Sequence, residues 1–159
     1  MRQSEATILV GLALAAAACG GSKGVEIDPN RELVGSRWNA ILSTPTQLAG
    51  AVQLKGSGWM AADQDDTTKT RAFASIQNAV PGGEHPWHVH LGQCGNDRGI
   101  LGPAEAYGPL RVGSNGAAQE MAVLSLPVPV AGQYFVNVHA SRNNMKTIIA
   151  CGNLAPPSL

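Results

Sequence analysis

From residue 33 onward this chain cannot run far without turning. Glycine, proline and asparagine break it repeatedly, and the whole sequence holds 19 Gly and 10 Pro. Between the breaks lie short stretches rich in Val, Ile, Ala and Thr, and none reads as a helix. RWNAILST (37–44), GAVQL (50–54), SGWMAAD (57–63), TKTRAFASIQ (68–77), PWHVHL (86–91), AAQEMAVLSL (117–126), QYFVNVHAS (133–141) and KTIIAC (146–151) are strand candidates. In QYFVNVHAS, Tyr134, Val136 and Val138 share one parity, and Phe135, Asn137 and His139 the other. In TKTRAFASIQ the alternation is irregular. Period-two patterning with frequent turn signals predicts an all-β domain, an antiparallel sandwich or flattened barrel. Residues 92–116 form one long connection with seven Gly, two Pro and no clear strand or helix. Such connections in compact domains are commonly functional or disordered.

The 159 residues suit one folded domain, and no internal repeat is visible. Formal net charge is zero, so nothing favours nucleic acid or an anionic membrane surface as a partner.

The beginning of the chain reads differently. Arg2 is the one basic residue before an apolar run, Ile8 to Ala18. That run is too short to cross a bilayer but suits the hydrophobic region of a signal peptide. It ends in AAAC-GGS, which resembles a bacterial lipoprotein signal in which Cys19 is lipidated and becomes the new N-terminus. Ala16 stands where Leu is more usual; the other reading is ordinary secretion with cleavage nearby. The expected organisation is a signal with its lipidated cysteine over 1–19, a flexible tether over 20–34 and the β domain over 35–155. The expected location is the cell envelope, on a membrane held through a lipid anchor facing the periplasm or exterior.

If Cys19 carries lipid, Cys94 and Cys151 remain. Export places them where a disulfide persists. Two free thiols or a soft-metal site are the alternatives.

Three of the four histidines, His85, His88 and His90, fall within HPWHVH, and His139 lies 49 residues beyond His90. On a strand, residues i and i+2 project from one face. His88 and His90 can therefore converge on one ion while Val89 points to the core. His139 ends another apolar strand and can add a third nitrogen if the strands are neighbours. Three imidazoles suit copper, zinc, nickel or iron, with copper(II) bound tightest among divalent ions. The competing reading is surface or hydrogen-bonded core histidines. His85 has the opposite parity and precedes Pro86, so it reads as a loop histidine bonded to backbone, not a ligand.

PGGEHPWHVHLGQCG resembles the copper-loop motif of the copper/zinc superoxide dismutases, in which H-x-x-H-x-H precedes a Gly and a disulfide Cys. YFVNVHAS is similar to the family strand that ends in a further copper histidine, and IIACGN to the stretch with the second disulfide Cys. The three pieces agree in order and spacing over roughly residues 35–155. The resemblance implies an eight-stranded Greek-key β-sandwich, a copper site of His88, His90 and His139, and a Cys94–Cys151 disulfide. It makes superoxide the implied substrate.

Two departures qualify it. The family's zinc site uses histidines in the loop after the copper motif, one of them bridging both metals. Residues 91–138 contain no histidine. Asp97 and Glu105 remain, a poor zinc set without imidazole. One copper and no zinc is the expectation. Tyr107 falls where the bridge would lie. The family also places an arginine three residues before the last cysteine, and here Ile148 stands there. Arg142 and Lys146 are the nearby cations, with Lys146 sharing the parity of Ile148. A dismutase with weakened activity and a non-catalytic copper buffer or carrier both fit this pattern.

Overall fold

The computed structural model describes residues 37–51 and 53–157. The apolar run, Cys19 and the expected tether lie outside the described residues. Ten strands follow in order: β1 (Trp38–Ser43), β2 (Lys55–Ala62), β3 (Thr70–Gln77), β4 (Glu84–His85), β5 (Trp87–Gln93), β6 (Asn96–Ile100), β7 (Leu110–Arg111), β8 (Ala118–Leu124), β9 (Tyr134–Ser141) and β10 (Asn144–Leu154). Among the described residues helix is limited to two 3-10 turns, Thr46–Leu48 and Ala104–Ala106.

Eight strands make one antiparallel sheet in the order β6-β5-β9-β10-β1-β2-β3-β8, which curls into a half-barrel. Strands β4 and β7 pair separately. Strand β5 lies beside β9 and β3 beside β8, so the chain crosses the sheet in Greek-key fashion instead of meandering. The expected all-β, eight-stranded architecture is therefore present.

Alternation explains which side chains fill the interior. In β1, Trp38, Ala40 and Leu42 are buried while Asn39, Ile41 and Ser43 are exposed. The irregular pattern of β3 resolves in the same way. Thr70, Ala72, Ala74 and Ile76 face inward, and Phe73 faces outward to stack on Trp59 at 5.4 Å. Small alanines inside and an aromatic outside blur the hydropathy signal. The buried Thr70 hydroxyl donates to the Leu126 carbonyl at 2.8 Å, which removes the cost of an unpaired polar group.

Strands β5 and β9 are buried on both faces. Trp87 pairs with Val138 and Val89 with Val136, and these four fill the interior. His88 pairs with Asn137 and His90 with Phe135 on the opposite face, where all four are also buried.

Two expectations about elements need correction. Residues 50–54 are not a strand: Gly50 and Ala51 are in a turn, and Gln53 and Leu54 precede β2. Leu54 is buried in the core, anchored by its amide donating to the Thr44 hydroxyl at 2.8 Å. The connection 92–116 is not wholly irregular, since it contains β6 and β7. Strand β6, NDRGI, is polar and mostly exposed at the sheet edge, so no hydrophobic period marks it.

Candidate metal centre

The site begins with local strand geometry. His88 and His90 project from one face of β5, as their spacing requires. Strand β9 runs antiparallel beside it, and the His139 amide donates to the Pro86 carbonyl at 2.8 Å. This register brings His139 across from the two β5 histidines. One ring nitrogen from each of His88, His90 and His139 lies within 4.8 Å of the others, and all three side chains are buried.

Each ring is held at a different point. His139 Nδ1 meets the Met145 carbonyl at 2.6 Å, so this nitrogen donates and leaves Nε2 bare. His90 Nδ1 meets Asp97 Oδ1 at 2.9 Å, which likewise leaves Nε2 with its lone pair. That Nε2 is buried with no hydrogen-bond partner among the described residues. His88 turns its Nδ1 to His139 Nε2 at 3.3 Å. The Tyr107 ring packs edge-on against His88, and the Phe135 ring stacks on His90.

Burial, and then the neighbouring His139 and His90, push His88 down to about 4. Burial also lowers His139. Both rings are therefore neutral near pH 7, the form that offers a lone pair. Burial acts to raise Asp97, but the Gly99 amide and His90 outweigh it and hold the carboxyl below its ordinary range. This three-imidazole set, with one buried nitrogen partnerless among the described residues, can hold a metal ion.

His85 stays out of this group. Its Nδ1 contacts the Ala140 carbonyl at 2.9 Å, the backbone bond expected of it. It sits in the two-residue strand β4 and not in a loop. Asp97 and Glu105 likewise join no histidine to make a second cluster among the described residues. Tyr107 is placed beside the centre but its hydroxyl donates to the Leu101 carbonyl at 2.7 Å, and burial pushes its pKa up, which keeps it protonated. It is a packing neighbour of His88 and not a ligand.

Cys94 and Cys151 are disulfide-bonded, with Cα atoms 6.0 Å apart. The bond ties the β5–β6 turn to β10, beside the Cys94 amide that donates to Asn153 at 2.8 Å.

An open cavity of about 620 Å³ leads to His88, walled by Pro86, Tyr107, Pro109, Arg142 and Met145. Arg142 is the cation at this mouth and is drawn to Glu84 at 3.0 Å. Ile148 pairs with His139 across the β9–β10 ladder. Lys146 is exposed on β10 and takes no part in the cavity wall.

Sequence reasoning missed the partners of the ligand rings. The Met145 carbonyl carries no side-chain signal at all. Asp97 was findable. A two-residue Cys94-Gly95 turn sets Asp97 opposite Gly92, which has the parity of His90. The sequence matches no protein-family model and no curated protein.

Proposed function

We propose that this protein is an exported copper-binding relative of the copper/zinc superoxide dismutases, which converts superoxide to oxygen and hydrogen peroxide at a zinc-free site of His88, His90 and His139. The observation that carries this reading is the convergence of three buried histidines, with His90 Nε2 without a partner among the described residues. Copper in such a site supplies a one-electron couple that superoxide can reduce and reoxidise.

The chain's own residues would act as follows. His90 and His139 through Nε2, and His88 through Nδ1 once its proton has moved to Nε2, would hold the ion. Although Glu105 lines the same wall, Arg142 brings a positive charge that would attract an anion. Its side chain is 70% exposed and faces Glu84, so this attraction is partly neutralised. Peroxide formation needs two protons. Tyr107 does not release one, because its hydroxyl is engaged and its ionisation is raised. Protons therefore arrive from water through the open cavity.

A second reading, a copper buffer or carrier without turnover, is favoured by Ile148, an apolar side chain on the residue paired with His139. Copper loading followed by a superoxide assay separates the two. Dismutation lost in His88→Ala supports the enzyme; stoichiometric copper with no dismutation supports the carrier.

A further inference from the structure

Asp97 is the carboxylate that meets a histidine of the centre. It lies on β6, opposite Gly92 of β5 and on the face that carries His90. Its Oδ1 accepts from His90 Nδ1 at 2.9 Å and from the Gly99 amide at 2.8 Å. The oxygen is thus fixed by its own strand before it meets the ring. Several local features fix that strand. Gly92 and Gly95 take positive φ values of 107° and 85°, which shape the bulge and the two-residue turn. A Cβ at Gly92 would run into the Asn96 carbonyl. The disulfide then pins the turn at Cys94.

His90 is constrained twice. Phe135 stacks on its ring at 5.2 Å and sets the plane. Within that plane the ring can still turn over, and the proton can sit on either nitrogen. Asp97 is the group that decides both, because His90 Nε2 has no partner of its own among the described residues.

We propose that Asp97 is a positioning residue of the metal centre, holding His90 with the proton on Nδ1 and Nε2 presented to the ion. A carboxylate on the far nitrogen also makes the imidazole a stronger electron donor. Asp97 is half exposed, so solvent and salt weaken its charge and its hold on His90 is this hydrogen bond. Stronger donation favours the oxidised ion, so Asp97 biases the site toward copper(II) over copper(I). The inference rests on the three-histidine copper reading for its second half only. Tautomer control operates in the metal-free protein.

The test uses the full chain, with Asp97→Ala and Asp97→Asn beside the unmodified protein. Histidine nitrogen NMR on metal-free samples reads the tautomer. The unmodified protein should show His90 protonated on Nδ1, and Asp97→Ala should show a mixture. The same tautomer in both overturns the proposal. Copper(II) affinity should fall about 10- to 100-fold in Asp97→Ala, with partial rescue in Asp97→Asn, which keeps the acceptor. The midpoint potential should rise in both. Should Asp97→Ala not fold, Asp97→Asn carries the test through its electron paramagnetic resonance spectrum and midpoint potential, and unchanged values overturn the proposal. Failure of the unmodified protein to bind copper would count against the copper reading, and the NMR result would still decide the role of Asp97.

Discussion

His88 Nδ1 lies 3.3 Å from His139 Nε2, although 51 residues separate them. His139 already donates its other nitrogen to Met145, so the proton in this contact belongs to His88. Two rings from different strands therefore aim nitrogens at one spot without a charged group between them. With His90 they make a cluster that the fold assembles before any ligand arrives, and it becomes a full donor set once the His88 proton moves from Nδ1 to Nε2.

The ligand assignment predicts a sharp division among the four histidines. Replacing His88, His90 or His139 with Ala should each abolish tight copper binding in a competition titration. His85→Ala should leave it intact, because His85 is bonded to the Ala140 carbonyl outside the group. Loss of binding in His85→Ala alone would refute the assignment.

Acid should destabilise the metal-free protein well above the range where carboxylates titrate. His88 is pushed down to about 4 in the folded state, chiefly by burial. An unfolded histidine protonates near about 6.5. Between these values the unfolded chain binds more protons, so stability falls as pH drops from about 6.5 toward about 4. His139, also lowered, adds in the same direction. Melting temperatures of the metal-free protein should be lower at about pH 5 than at about pH 7.5, and His88→Gln should flatten the difference. A flat or rising profile on acidification would contradict this.

The disulfide should matter for stability and for the site. Cys94 and Cys151 are 57 residues apart, and on the chain-entropy model closing a loop of that length contributes roughly 4 kcal/mol. Cys151→Ser should therefore shift the urea midpoint strongly downward. It also frees the turn before Asp97, so copper affinity should fall in the portion that still folds. A midpoint unchanged from the unmodified protein would count against the first half.

Steering offers a separate prediction. If copper is bound and dismutation occurs, Ile148→Arg should raise the rate, since steering by a charge near the metal is worth about 10- to 1000-fold in on-rate. The gain should shrink as salt screens the charge. A rate already near the diffusion limit in the unmodified protein would show that Arg142 does this work. An unchanged, negligible rate would favour the copper carrier.

Much of this was legible in the sequence where side chains alternate. Trp38, Ala40 and Leu42 announce β1, and His88 and His90 announce a shared face. The Cys94–Cys151 pairing and the proximity of His139 were expectations that the structure bears out. Strand β6 was not legible, because an exposed edge strand of Asn, Asp, Arg and Gly carries no apolar period. The segment at 50–54 misled for the opposite reason: it is apolar by composition, but Gly50 and Ala51 lie in a turn, and Gln53 and Leu54 carry no strand. Asp97 was reachable as a histidine partner only through the two-residue Cys94-Gly95 turn, since nothing in the pattern of β6 itself marks its register.

Metal analysis of the full chain after copper loading and dialysis tests the central claim most directly. The account predicts one copper per chain, little zinc, and loss of that copper in the triple variant His88→Ala, His90→Ala, His139→Ala. Retention of copper by the triple variant, or stoichiometric zinc in place of copper in the unmodified protein, would contradict it.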